Sequence, residues 1–440
     1  KHVDSRVSRA SALLSLKRQG DAEAELKLLK DGKVKEPRAS FLRAMIASNR
    51  GDAKTAKPEY TEAANLIDAM PPNVLANNEP LLMAGALSHR ALGNGEKARG
   101  YLETVLGRNG RHLAAQMLLA STLMEANEVN RAVPLIESLL RANPNDAQAL
   151  YMMGSIHLMR RQYTQAADLL ERAARAAPSG PALRELSLSQ FGLGNDKLAL
   201  ANLEKAYAQN PKDYRAGIEL AVFYARTGNG PKAVKIAEAL VALDPSNLAM
   251  LNFLGNVKGR LGDRKGLREA YELALSKDPK FRPVVINMGW LDMEEGRLDA
   301  ARARLKAFLK DNPKDPDMLF QLGSLEHTAR RTAEAVALWT EADKAQQKDA
   351  RPGLALVELY LGEQDATKAL AAAKALLANY ADLPQVQVAL ARAYMASNEV
   401  SLAKQSLQEA SSKAGFDGGV LLQVARLQLM LNNPDGAAHA

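Results

Sequence analysis

The side chains that could carry chemistry are few and poorly placed for it. Six histidines occur in 440 residues, His2, His89, His112, His157, His327 and His439, and no pair has the H-E-x-x-H spacing that sets two imidazoles on one helix face for zinc. Cysteine is absent, which excludes thiolate nucleophiles, disulfides and cysteine metal sites within these residues. Gly93-Asn94-Gly95 with Ala98, and Gly228-Asn229-Gly230 with Ala233, mimic a dinucleotide fingerprint. That chemistry needs a strand before the first glycine, so that the turn delivers phosphate to a helix N-terminus. A helical pattern precedes both, so the glycines read as turn residues and the alanines as packing positions. Ser401-x-x-Lys404 resembles the start of a serine-lysine motif, without the other motifs that would support it. No carboxylate pair stands out. The expectation is a non-catalytic chain with no metal and no cofactor.

Charge gives no sharper answer. Lys and Arg number 58 against 50 Asp and Glu, a net charge of +8. The basic clusters Lys258, Arg260, Arg264, Lys265, Arg268 and Arg297, Arg302, Arg304, Lys306, Lys310 read as solvated repeat faces, with a polyanion or acidic-partner surface as the alternative. Nucleic acid would want a concentrated basic stripe with stacking aromatics, and acidic residues are interspersed throughout, so it is not expected. No apolar run approaches the length of a membrane-spanning helix.

The elements that hold these residues repeat. Ala147–Gly180 reads as two amphipathic helices joined by a polar turn and closed by Pro178. Leu150, Met153 and Gly154 share one face of the first helix, and Ala166, Leu170 and Ala173 one face of the second. Neither face can be buried alone, so neighbours must stack on it. The same pattern begins near residues 6, 37, 79, 113, 147, 181, 214, 248, 282, 316, 350, 384 and 418, with 33 residues assigned to the Pro181 repeat and 34 to its neighbours. This predicts one continuous array over residues 1–440. Pro71–Asn78 is extra sequence, read as a loop. Closing prolines, Pro144 and Pro211 among them, fix the turn between repeats. Gly20 is placed in the turn of the first repeat, and Gly51, Gly93, Gly228, Gly262 and Gly296 occupy the inner turns of later ones, where a positive φ is expected. Gln347 replaces a closing proline, which predicts a less sharply turned junction at Gln346–Arg351.

The pattern resembles the tetratricopeptide repeat (TPR) family over about residues 6–440. Leu251, Leu254, Gly255, Tyr271, Ala274 and Pro279 match its signature, as do Leu319, Leu322, Gly323, Ala335, Trp339 and Ala342. His157, Lys258, Asp292 and Glu326 depart from it where the family often has Tyr; His89, at the same position, and His157 read as packed structural histidines. The resemblance implies an all-α solenoid, a right-handed superhelix of about twelve to thirteen antiparallel helix pairs, whose first helices line a concave groove for protein partners. Positions 2, 5, 9, 12 and 13 of each repeat then face the groove. They include Met117, Met124, Tyr151, Leu158, Met159 and Ile218, followed by Asn252, Asn256, Arg260, Trp290, Met293, Phe320 and His327. Packing against the neighbouring helix is the competing role for many of them. Asn252 and Asn256 resemble part of a carboxylate-capturing TPR groove, but its lysines are missing.

Leu81–Ala120 and the following LIESLLRANPNDAQALYMMG are similar to the long TPR lipoproteins of bacterial exopolysaccharide and exosortase (PEP-CTERM) systems, with the TPR part of cellulose-export proteins close by. That likeness implies a periplasmic scaffold in polymer assembly or export, tethered to the outer membrane through a lipid anchor ahead of Lys1. A polysaccharide-binding module and a cytoplasmic adaptor are the alternatives.

Overall fold

A computed structural model describes residues 2–346 and 348–440; Gln347 and the turn reading that rests on it lie outside the described residues. Among them are 27 helices and no strand. The helices alternate as first and second members of antiparallel pairs. Within a unit a first helix packs on its own second helix, as Ala147–Met159 does on Tyr163–Ala176, and the second helix packs on the next first helix, as Tyr163–Ala176 does on Gly180–Gly192. Contacts by Cα proximity divide the chain into two compact units, Lys1–Phe223 and Tyr224–Ala440.

The local chemistry explains this regularity. First helices open with side-chain caps: Asp146 accepts from the Ala149 amide, Asp315 from Met318 and Asn78 from Leu81. Each satisfies an amide that the first turn leaves unpaired. Second helices are held close by one alanine per repeat. Ala98, Ala132, Ala166, Ala199, Ala233, Ala301, Ala335, Ala369 and Ala403 are all fully buried. Leu267 takes that place once, and Gly259 makes the room: a Cβ there would lie 3.2 Å from Leu267 Cδ2.

The turns inside the repeats each use one left-handed residue. Gly51, Gly93, Gly228, Gly262 and Gly296 have φ between 75° and 82°. Gly20 does not belong with them. It lies in helix Gln19–Asp31, and Lys17, at φ 59°, makes that turn. Asn127, Arg161, Arg330, Gln364, Asn398 and Asn432 do the same elsewhere, against the steric cost of a Cβ.

Two boundaries differ from the sequence reading. The first helix assigned to Pro181 begins at Gly180, because Ser179 caps it and proline occupies the second helical position. The extra segment Pro71–Asn78 is not all loop. It holds the short helix Pro72–Ala76, whose Leu75 tucks into the apolar core and whose last carbonyl is bonded by Arg108.

Candidate interaction surface

In the unit Lys1–Phe223, the inner-face positions are mostly apolar. Met117 and Met124 are half-buried against the cluster around Leu119 and Leu123. Tyr151 and Leu158 lie together on Ala166, Leu170 and Leu186. Met159 is 55% exposed and Ile218 half-buried. The Tyr151 hydroxyl donates to Glu185 Oε1 at 2.8 Å. Burial, reinforced by that carboxylate, pushes its pKa up to about 12. Arg184 donates to Glu219 at 3.0 Å. Burial raises the Glu219 carboxyl although Arg184 opposes it, and Glu219 Oε2 has no hydrogen-bond partner. Sequence reading missed Arg184, Glu185 and Glu219. The only signal is the 34- or 35-residue separation between partners, one repeat along the array.

In the unit Tyr224–Ala440, the equivalent face is polar and aromatic. Asn252 accepts from Asn287 at 2.9 Å and Asn256 from the Tyr271 hydroxyl at 2.5 Å, so both amides are engaged within the fold. Arg260 is exposed, Trp290 is 37% exposed, and Met293 packs half-buried on the core. Phe320 lies beneath the Arg351 guanidinium at 5.1 Å. Arg351 also pairs with Asp317 at 2.5 Å, and Asp317 takes Arg282 at 2.6 Å. The exposed His327 leans on the Trp339 ring at 5.5 Å, and Trp339 Nε1 donates to the Phe320 carbonyl at 3.1 Å. Trp339 thus brings Phe320 and His327 together, while Trp290 stands apart with Met293 in the preceding repeat.

The second basic cluster is not simply a solvated face. Asp292, 1% exposed, accepts from Arg268 at 2.7 Å, Arg297 at 3.1 Å and Arg304 at 3.2 Å. Glu326 is held by both arms of Arg302, at 2.7 and 3.1 Å, which keep its carboxyl below the usual range despite burial. In each case the first of these arginines lies 24 residues before its carboxylate, on the preceding second helix. Asp292 and Glu326, the acids that replace tyrosine, are therefore counter-charges for arginines, and they engage Arg297, Arg302 and Arg304 of that cluster.

The histidines differ from one another. His89 is 3% exposed, stacks on Tyr101 and lies 2.9 Å from Asp68 Oδ1. Burial would raise the Asp68 carboxyl, but hydrogen bonds from Lys97, Tyr101 and His89 outweigh it and bring it to about 2. His157 is only half-buried, with Nδ1 2.7 Å from Gln162, so it is not a core histidine. Helices Glu79–Ala91 and Tyr214–Arg226 precede the two Gly-x-Gly segments, which leaves no strand end to aim a phosphate. Among the described residues no group of three His, Asp or Glu could hold a metal ion.

A cavity of about 380 Å³ opens on the inner face of the first unit, lined by Phe41, Met45, Tyr60, Leu87, Arg90 and Glu125, with Ala91 at its edge. Sequence reading placed its most suggestive groove elsewhere, at Trp290, Met293 and Phe320.

Antiparallel helix pairs at a 34-residue period, joined by left-handed turns and packed through buried alanines, define a helical repeat protein that presents its first helices. Family models described as tetratricopeptide repeat match residues 83–129, 118–181 and 286–350, and residues 192–256, together just over half of the chain. The chain belongs to the tetratricopeptide repeat family. It is 31% identical over 153 residues to cellulose synthase 2 operon protein C of Komagataeibacter xylinus, covering 34% of this chain and 12% of that protein. It is 23% identical over 304 residues to cellulose synthase operon protein C of Pseudomonas fluorescens (strain SBW25), covering 53% and 24%. The chain therefore spans a quarter or less of the length of these two relatives. The crystal structure of yeast Tom70 is 16% identical, with 97% of this chain and 94% of that one covered, at a TM-score of 0.48.

Proposed function

We propose that this chain is a non-catalytic protein-interaction scaffold of the bacterial cell envelope, periplasmic and serving exopolysaccharide assembly or export. One observation carries the interaction reading. Inner-face side chains such as Met159 and Trp290 stay substantially exposed although both are apolar. A protein partner laid on that face would remove both side chains from water, which favours association. The exopolysaccharide setting is supported by the alignments to two cellulose synthase operon C proteins.

A direct polysaccharide role is the second reading, favoured by the Trp290 ring, which could stack on a sugar. Trp290 and Trp339 are the only two tryptophans, and Trp339 is 3% exposed, so a ligand-dependent change in fluorescence reports on Trp290. The purified chain is titrated with neutral and acidic oligosaccharides, and separately with candidate export proteins of cellulose and exopolysaccharide systems. The scaffold reading expects a response to at least one protein, weakened by Met293→Ala, which leaves the Trp290 reporter in place, and none to glycans. A response to glycans alone would replace the scaffold reading with the polysaccharide one.

A further inference from the structure

We infer that the inner-face cavity of the first unit is a socket for one aromatic side chain, carried on an uncharged segment of a partner protein. This rests on the scaffold reading and deepens it.

Phe41 and Met45 sit four residues apart on helix Pro37–Asn49, and Leu87 and Arg90 three apart on helix Glu79–Ala91. Both pairs therefore point from one helix face. Between these two first helices the chain carries its extra segment, with the short helix Pro72–Ala76. The gap is about 380 Å³ and open, enough for one large side chain. Phe41 and Tyr60 stand at its wall with ring centroids 6.3 Å apart and planes tilted by 53°. A third ring can join them edge to face, the arrangement that aromatic groups prefer. Met45 adds a polarisable thioether that suits an aromatic neighbour.

Charge decides between occupants. Arg90 at the rim already donates to Glu125 at 2.5 Å and to Ser121 at 2.9 Å. An acidic occupant finds that cation neutralised and meets the Glu125 carboxylate beside it. A basic occupant would compete with Arg90 for the same carboxylate. A neutral ring meets no like charge and breaks no ion pair on entering, and the Arg90–Glu125 pair remains to meet the amide and carbonyl of the incoming backbone.

The test uses the whole chain, labelled with carbon-13 at the methionine methyls. The Met45 resonance is identified by its loss in Met45→Leu. The probes are the capped tripeptides acetyl-Gly-Phe-Gly-amide, acetyl-Gly-Glu-Gly-amide and acetyl-Gly-Lys-Gly-amide. The Phe peptide should move the Met45 signal saturably, with an apparent affinity about tenfold or more above the two charged peptides. Ala91→Trp, at an exposed edge position, should block the socket and lower that affinity by about tenfold without unfolding the chain. A Met45 signal that stays fixed, or moves equally with all three peptides, overturns the socket. If only Met293 responds, the socket falls while the scaffold reading stands. Silence at every methyl, with no Trp290 response to any export protein, removes both. A Met45 signal that shifts on dilution and ignores peptide assigns the cavity to a second copy and also overturns the proposal.

Discussion

Leu123 and Asp292 stand at the same place in their repeats, the eleventh residue of a first helix, and they are treated in opposite ways. Leu123 is 2% exposed within an apolar cluster that runs from Ile67 to Ile156. Asp292 is 1% exposed and faces three guanidinium groups. The backbone frame is common to both, because it depends on small residues and left-handed turns that both units share. What fills the position is free to vary, provided that every buried charge finds its counter-charge. The inner faces vary in the same way, methionine-rich around Met117 and Met124, amide and aromatic around Asn252 and Trp290.

The sharpest break of this comparison removes each residue in its own setting. Asp292→Ala leaves partly buried Arg304 without its carboxylate and takes one of two close carboxylates from Arg268, which keeps Glu295 at 2.8 Å, and should cost ~1.5–3 kcal/mol. Leu123→Ala should cost ~2–5 kcal/mol through the cavity it leaves. Both tryptophans lie in the unit Tyr224–Ala440, so urea unfolding followed by fluorescence reports on that unit, while far-ultraviolet dichroism reports on all helices. Asp292→Ala should move the fluorescence midpoint, and Leu123→Ala the dichroism curve alone. If both probes shift together in both variants, the two settings are not energetically separate.

A smaller effect tests the shared frame. A Cβ on Gly255 would lie 2.5 Å from Tyr271 Cε1, and one on Gly154 would lie 2.6 Å from Leu170 Cγ. Gly255→Leu and Gly154→Leu should each cost ~1–3 kcal/mol by overfilling the helix contact. A thermal midpoint unchanged in either would show that one unit relaxes where the other does not.

Acid should then act on both units through different partners. The Asp68 carboxyl, near 2 in the fold against 3.8 for the free group, adds stability that is complete above about pH 4 and lost as pH falls towards 2. Because Asp68 is exposed and its partners are screened by water, that is about 1 kcal/mol at most. Glu326, lowered chiefly by Arg302, contributes with the same sign, its stabilisation fading as pH falls below its ordinary range near 4.5. Asp68→Asn and Glu326→Gln should each flatten the acid limb of the stability curve. An Asp68→Asn curve as steep as the parent's would contradict the role given to Lys97, Tyr101 and His89.

The residues behind these effects were unequally legible in the sequence. Gly255 announces itself, since a glycine amid an amphipathic helix pattern has a packing reason. The inner turns at Gly93 and Gly262 were equally plain. Asp292 could be seen to replace tyrosine, but its arginines lie on other helices and are paired only once the repeats stack. The repeat start slipped from Gly180 to Pro181 because proline is a strong local signal and a serine cap a weak one. The inner cavity was invisible for a related reason: Phe41 and Leu87 belong to different repeats, with the extra segment between them. Burial, too, is decided only when the repeats stack. Asn252 and Asn256 look like groove residues by position, yet the fold uses their amides itself.

The smallest effect concerns the turns, where the two kinds of residue meet the same backbone requirement. Arg161 and Arg330 adopt φ 57° and 61°, a region that crowds any Cβ. Lys17 shows that a glycine three residues away, Gly20, does not take over the role, so position within the turn is decisive. Arg161→Gly and Arg330→Gly relieve that crowding but enlarge the freedom of the unfolded chain, which offsets part of the gain. A net stabilisation of about 0.5–1 kcal/mol is expected in each, read as a raised thermal midpoint. The converse change, Gly262→Ala at φ 82°, should lower it. Both arginines are exposed, and neither side chain makes a hydrogen bond or ion pair among the described residues that its loss would confuse. A fall in stability for Arg161→Gly in one unit but not for Arg330→Gly in the other would mean that the turn is strained differently in the two, and that the frame is less uniform than its period.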